Sequence, residues 1–197
     1  MKTPRFSNPT RLAGLCGVIV ALLHPAVSQA QDLPEDFGQA GAVFAGYEGT
    51  WAVTVKQPDS GEMVTRGTGT AEARTRIGGR FLEIEATIED GLVSQVLYVL
   101  GFDTRHRTYN IIAFDNTGTY FVTAAGDTTS RPPHIVMYGT DDDPAMREMG
   151  FDKAFAFVWH LGSLDRFSIQ TRWIDTRTPA REEHVFMTLE FTREAKE

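Results

Sequence analysis

Residues 80–89 read RFLEIEATIE, and their side chains alternate between apolar and polar almost throughout. One face of the extended strand carries Leu82, Ile84, Ala86 and Ile88. The opposite face carries Glu83, Glu85 and Glu89. A strand with one apolar, buried face and one polar, solvent-facing face is typical of an antiparallel sheet wrapped around a core.

Similar strand patterns follow one another along the chain, separated by Gly, Pro, Asp or Asn. The predicted strands are Tyr47–Lys56, Thr65–Ile77, Arg80–Ile88, Leu92–Phe102, Thr108–Asp115, Thr119–Ala125, Ile135–Tyr138, Ala154–His160, Arg166–Ile174 and Glu182–Thr192. Ser60-Gly61, Gly78-Gly79 and Asp90-Gly91 supply residues that tolerate the positive φ of tight hairpins. The sequence therefore predicts an all-β fold, a single antiparallel up-and-down β-barrel of about 8–10 strands.

The N-terminus predicts export. Lys2, Arg5 and Arg11 flank an apolar run over residues 12–23, and Ser28-Gln29-Ala30 places small residues where a signal peptidase reads. These features together describe a secretory signal peptide. The run is about half the ~20 apolar residues that a membrane-spanning helix needs. We expect cleavage after Ala30.

Cleavage there divides the chain into a signal peptide over 1–30, a leader over 31–46 and a barrel over 47–197. The leader is expected to dock a short helical turn through Phe37 and Phe44. The only cysteine, Cys16, leaves with the signal, and the formal net charge falls from −7 to −10 because three basic residues are removed. A periplasmic or secreted location follows, and an acidic chain argues against nucleic acid or an anionic membrane as a partner.

Residues 143–150 (DPAMREMG) predict one short loop helix over 144–149. Asp143 suits the N-cap, Pro144 the first helical position and Gly150 the residue past the end. The preceding run Asp141–Asp143 is then a solvated loop. Calcium binding is the alternative, but three consecutive aspartates point in different directions and match no EF-hand spacing.

Two predicted strands depart from simple alternation. One face of 65–77 consists of Gly67, Gly69, Ala71 and Ala73. Such small residues either let the strand bend sharply or leave empty volume inside the barrel. Residues 92–102 (LVSQVLYVLGF) are apolar on both faces. Their outer side requires cover from the leader or from a second subunit, which makes a homodimer through 92–102 a possible assembly.

The head of the first strand, Gly49-Thr50-Trp51, resembles the G-x-W signature that opens lipocalin-like (calycin) barrels. In those barrels an arginine from the end of the last strand lies over the tryptophan, and Arg193 is suitably placed. The resemblance therefore implies that Trp51 and Arg193 close the base of the barrel through a cation–π contact.

A larger set of motifs is similar to the bacterial family known as domain of unknown function 1579, whose members are regarded as lipocalin-like. The set comprises 79–83 (GRFLE), 101–103 (GFD) with Tyr109, 115–119 (DNTGT) and Gly126. The similarity spans 44–192. Phe114 is a departure, because the family often has Trp there. The resemblance implies the fold and supplies no activity.

No motif in the sequence specifies catalysis. His106, His134, His160 and His184 follow the cleavage site, and no two have metal-ligand spacing, although they could converge in the fold. One branch of calycin barrels binds haem through a single histidine, which makes His160 the alternative haem ligand. Glu83 and Glu85 are expected to face solvent. We predict no metal, no cofactor and no catalytic residue.

The lumen remains as the candidate site, because barrels of about eight strands can hold one small ligand. The aromatic residues predicted to line it are Tyr98, Tyr138, Phe157, Trp159 and Trp173. The sequence favours an exported binding module for a small hydrophobic ligand. The alternatives are a non-catalytic scaffold or partner-binding protein using strand 92–102, and a small-molecule isomerase or hydrolase without a recognisable motif. A filled core would account for the same aromatics.

Overall fold

A computed structural model describes residues 37–91, 93–117, 121–126, 134–140, 153–175 and 179–194. The predicted signal peptide lies outside the described residues, and so do the predicted helix over 144–149 and the run Asp141–Asp143. Cleavage after Ala30 and the loop helix stay predictions.

One helix precedes ten strands in the described chain. The elements are α1 (Phe37–Gly46), β1 (Gly49–Asp59), β2 (Glu62–Arg76), β3 (Phe81–Glu89), β4 (Gln95–Asp103), β5 (Thr108–Asp115), β6 (Phe121–Gly126), β7 (His134–Thr140), β8 (Lys153–Ser163), β9 (Arg166–Asp175) and β10 (Glu183–Arg193). Each strand pairs antiparallel with its neighbours in sequence, and β10 pairs with β1 to close the barrel. The predicted all-β up-and-down barrel is confirmed, with ten strands.

The hairpins use the turn chemistry that the sequence predicts. Ser60 and Gly61 connect β1 to β2 with φ angles of 52° and 92°. Asp90 has a φ of 59° at the end of β3. The Asn116 side-chain oxygen accepts hydrogen bonds from the backbone N–H groups of Ser94 (2.9 Å) and Gln95 (3.0 Å). Asn116 therefore holds two neighbouring connections of the barrel together.

The two ends of the barrel differ. We call the end where β1 begins and β10 ends the base, and the opposite end the open end. Helix α1 packs against β2 and β3, and its Phe44 is fully buried in the barrel core. Phe44 lies 6.1 Å from the Tyr109 ring and 6.3 Å from the Trp159 ring. The leader therefore plugs the base.

Strand β4 begins at Gln95, three residues later than the sequence predicts. Its side chains at Leu97 and Val99 are half-buried on the outer face. Leu97 pairs in register with Phe114, which pairs with Phe121. Because Phe44 inserts into the core, it does not provide the predicted cover for the outer side of this strand.

The glycines of strand β2 allow β3 to approach closely. A Cβ at Gly69 would lie 1.9 Å from the backbone oxygen of Thr87 on β3, and a Cβ at Gly67 would lie 2.8 Å from that of Glu89. The register between β1 and β2 also shifts between Val55 and Lys56. Of the two readings of this small-residue wall, close approach of neighbouring strands accounts for Gly67 and Gly69, and empty volume does not.

Candidate functional site

The structure separates the five predicted lumen residues into four locations. Tyr98 and Phe157 lie in the middle of the lumen, Trp173 lies at the open end, Trp159 lies in the base, and Tyr138 lies on the outer wall. The candidate site is the part of the lumen between the middle and the open end.

A ring contact across the lumen forms the floor of this site. Tyr98 on β4 and Phe157 on β8 point inward from strands that are not neighbours, and their ring centroids are 6.1 Å apart at 76°. Both side chains are almost fully buried. This edge-to-face contact separates the lumen near the base from the lumen near the open end.

An exposed tryptophan marks the open end. Trp173 follows Phe167 and Ile169 in the inward alternation of β9, yet 36% of its surface is exposed. Its ring stacks on Phe186 with centroids 4.8 Å apart at 10°. A register shift between Val185 and Met187 lies at this position in β10. The bulge accompanies a flat, partly open aromatic surface at the end of the lumen.

Among the described residues, Tyr98 and Asp115 bring polar groups toward this end of the lumen. Asp115 ends β5 opposite the buried Val96 and accepts a hydrogen bond from the Thr117 N–H at 2.8 Å. Burial, and after it the negative charge of Asp115, raise the pKa of the Tyr98 hydroxyl. The Tyr98 hydroxyl is therefore neutral at physiological pH. An apolar pocket with a small number of polar groups is the usual chemistry of a ligand site.

Trp159 belongs to the packed base instead. It is fully buried, with Tyr47 5.3 Å away and Tyr109 6.1 Å away between ring centroids. The Tyr47 hydroxyl donates a hydrogen bond to the Leu161 carbonyl at 2.8 Å, and burial raises the pKa of Tyr47 to about 12. Among the described residues, the Trp159 Nε1 group is buried without a hydrogen-bond partner. Ring packing rather than hydrogen bonding holds Trp159.

Trp51 and Arg193 meet at the base, where the lipocalin resemblance implies their contact. The Arg193 guanidinium lies 4.3 Å from the centroid of the fully buried Trp51 ring. It also donates hydrogen bonds of 2.8 Å to the carbonyls of Gly46, Glu48 and Leu164. Arg193 therefore joins the end of α1, the start of β1 and the turn between β8 and β9.

The inward assignment of Tyr138 is wrong. Met137 is fully buried in the core, so the adjacent Tyr138 lies on the opposite face of β7, where 46% of its surface is exposed. The predicted strand was too short to reveal its inward set by alternation. Tyr138 is a residue of the outer wall.

Two histidines that are 26 positions apart in sequence meet on the outer wall. His134 and His160 pair in register between β7 and β8, and their Nδ1 atoms are 2.6 Å apart. Burial lowers the pKa of His160, and so do the charges of His134 and Arg172. Because Trp159 points into the core, His160 points outward, away from the lumen.

Other predicted polar groups have structural partners. Glu83 lies on the outer face and accepts a hydrogen bond from Arg76 at 2.6 Å. The Asp103 carboxylate accepts hydrogen bonds from Arg105 and lies 2.9 Å from the His106 ring nitrogen. Within the described ranges, no three His, Cys, Asp or Glu side chains gather as metal ligands. The described helix is neither long nor apolar enough to cross a membrane.

The fold defines the chain as a closed ten-stranded antiparallel barrel with a plugged base. Residues 38–193 match the family described as Protein of unknown function (DUF1579), and the chain belongs to that family. The motifs at 79–83, 101–103 and 115–119 therefore led to the correct family. No curated protein matches the chain.

Proposed function

We propose that the chain is an exported binding module for a small apolar ligand held between Trp173 and the Tyr98–Phe157 floor. The observation that supports this most is the difference in solvent exposure among the three inward-facing tryptophans. Trp51 and Trp159 are fully buried at the base, whereas Trp173 is 36% exposed at the open end. An exposed aromatic on an inward strand position provides a surface on which a planar or aliphatic ligand can stack.

The chemistry of the polar groups narrows the ligand class. The neutral Tyr98 hydroxyl can donate one hydrogen bond, and the Asp115 carboxylate disfavours an anion in the same space. We therefore infer a neutral or cationic ligand that is largely apolar and carries a hydrogen-bond acceptor. The chain supplies the binding surface, and no reaction follows from these groups.

The proposed location is the periplasm or the extracellular medium, on the strength of the basic flank, the apolar run and Ser28-Gln29-Ala30. Intact-mass measurement of the exported protein should show that it begins at Gln31. Retention of residues 1–30 would overturn the proposed cleavage.

Fluorescence titration with N-phenyl-1-naphthylamine, a neutral apolar probe, tests the binding site. We expect one probe per chain, and Trp173→Ala should weaken binding at least about tenfold, or about 1.4 kcal/mol. The matched control is Phe121→Ala, which removes an exposed aromatic ring from the outer wall and should leave binding unchanged. Equal binding by both variants would contradict the site. Native mass spectrometry of protein purified from its source should reveal an additional small mass.

A second candidate function rests on the outer wall. Leu97, Phe114 and Phe121 form one row across β4, β5 and β6, and the rings of Phe114 and Phe121 are 5.6 Å apart. Phe121 is 59% exposed. The row carries no charge, so two copies of this acidic chain can bring it together without burying carboxylates, as a symmetric homodimer requires. Sedimentation should then show a dimer that Phe121→Glu converts to monomer; a monomeric parent would contradict this role.

The third possibility raised by the sequence, a small-molecule isomerase or hydrolase, gains no specific support from the described side chains.

A further inference from the structure

The His134–His160 pair lies on the opposite side of the sheet from the ligand site. Ile135 and Trp159, the sequence neighbours of the pair, are both fully buried in the core, which places both histidines on the outer wall. The two rings are 4.6 Å apart between centroids at 79°, and their Nδ1 atoms face each other at 2.6 Å. Two ring nitrogens at this distance share one proton, with one nitrogen as donor and the other as acceptor.

This arrangement suits a single metal ion that binds one nitrogen of each ring. Histidine nitrogens bind tetrahedral zinc at about 2.0–2.1 Å, so two of them on one ion lie about 3.3 Å apart. The Nδ1 atoms must therefore separate by about 0.7 Å from their 2.6 Å distance, and rotation of the exposed His134 ring can supply this movement. On binding, the shared proton moves from Nδ1 to Nε2 of its own ring. Each imidazole then stays neutral and gives one lone pair to the ion, and no net proton is released.

We propose that His134 and His160 form a two-histidine site for a divalent transition-metal ion, such as Zn²⁺ or Ni²⁺, on the outer wall of the barrel. Imidazole nitrogen suits these ions better than Mg²⁺ or Ca²⁺, which take oxygen ligands. Within the described residues the site has these two protein donors, and water completes the coordination.

The described cations near the histidine pair contact carboxylates. His160 pairs in register with Ser168 on β9, and Ser168 pairs with Glu190 on β10. Glu190 is engaged by Lys56 at 2.8 Å and by Arg166 at 3.5 Å. Arg172, whose charge is close enough to affect His160, forms a salt bridge of 2.8 Å with Glu183. Among the described residues, each of these three cations therefore contacts a carboxylate.

The remaining described histidines provide matched controls. His106 lies 2.9 Å from an Asp103 oxygen, and His184 lies 3.9 Å from a Glu182 oxygen. Each has a carboxylate neighbour and no second imidazole beside it. A single exposed histidine is a much weaker ligand than a chelating pair.

Isothermal titration calorimetry of the parent protein with NiCl₂, at low millimolar concentrations, tests the site. We expect one chelating site, and His134→Ala should weaken its affinity at least about tenfold, in line with the loss of metal-site groups generally. His160→Asn should have the same effect, and His106→Ala should have none. Because His134 is exposed, its replacement leaves the fold intact, which circular dichroism checks. Parent-like affinity in the His134→Ala variant, or no binding by the folded parent, would overturn the proposal.

Discussion

The base and the open end of the barrel bury the same kinds of side chain to different extents. At the base, Trp51 packs edge-on against Phe167 at 4.7 Å, and Phe167 stacks on Phe191 at 4.3 Å. Arg193 and the α1 plug complete that end. At the open end the corresponding aromatic pair, Trp173 and Phe186, is only partly buried. The base therefore contributes stability, and the proposed ligand site lies at the open end.

The comparison also explains why the aromatic content of the sequence was ambiguous. A filled core and a ligand pocket both require inward aromatics; the base of this barrel is a filled core, and we propose the pocket at the open end. The contact between Tyr98 and Phe157 marks the boundary. Substitutions at the base should accordingly change the free energy of unfolding, and substitutions at the open end should change binding.

The largest effect is expected at the base. Trp51→Ala should lower the free energy of unfolding by about 3–5 kcal/mol, because it removes a fully buried ring and leaves a cavity. Arg193→Ala should cost less in the Trp51→Ala background than in the parent, since the 4.3 Å contact is already lost. Urea denaturation of the four proteins measures the coupling. Strictly additive losses would show that the contact contributes nothing.

Alkaline unfolding should reveal the buried tyrosines of the base, one of which is Tyr47. The folded-state pKa of Tyr47 is raised to about 12, so its stabilising contribution is complete below pH 10 and is lost as the pH rises from 10 to 12. The decrease should reach up to about 3 kcal/mol for this residue. Tyr47→Phe should lose the Leu161 hydrogen bond at every pH and reduce the alkaline slope, to which the buried Tyr109 also contributes. An unchanged slope would contradict the assignment.

The next largest loss of stability is expected from a substitution in strand β2. It tests whether the small residues there allow close strand approach or leave empty volume in the lumen. Gly69→Ala should destabilise the barrel by about 1–3 kcal/mol, because the new Cβ meets the Thr87 carbonyl. Gly78→Ala is the control: nothing lies within 4 Å of its Cβ, and only its φ of 65° opposes the change, at about 1 kcal/mol. Thermal unfolding compares the two. A neutral Gly69→Ala would restore the empty-volume reading.

The smallest effect is a stabilisation. Ile77 occupies the turn between β2 and β3 with a φ of 52°, a backbone conformation that is unfavourable for a β-branched residue, and its side chain is 71% exposed. Ile77→Gly should raise the free energy of unfolding by roughly 0.5 kcal/mol, after allowance for the greater freedom of glycine in the unfolded chain. The melting temperature should rise slightly; a decrease would show that Ile77 makes a contact that outweighs the strain.

Local patterns predicted the strands because alternation and turn residues act within a few positions of one another. The faces of β3 and the positive φ at Ser60 and Asp90 follow directly from such signals. The meeting of His134 with His160 could not be predicted, because it depends on the register of two strands whose partners are 26 residues apart. Tyr138 was misplaced for a related reason: a short strand that is apolar on both faces gives no alternation to read.

The role of Gly69 also depends on a neighbouring strand. Its sequence context permits either a bend or a cavity, and the distance to Thr87 on β3 decides between them. The exposure of Trp173 likewise reflects its place at the end of β9 and the bulge in β10, which no pattern in the sequence indicates.

The three tryptophans allow the most direct test of the proposed site, because one lies at the open end and two lie at the base. A ¹⁵N-labelled sample should show three indole N–H signals, assigned by Trp→Phe substitution. On titration with N-phenyl-1-naphthylamine, the Trp173 signal should shift to saturation while the Trp51 and Trp159 signals stay in place. Shifts at Trp51 or Trp159 with Trp173 unchanged, or no shift at any of the three, would contradict a ligand site at the open end.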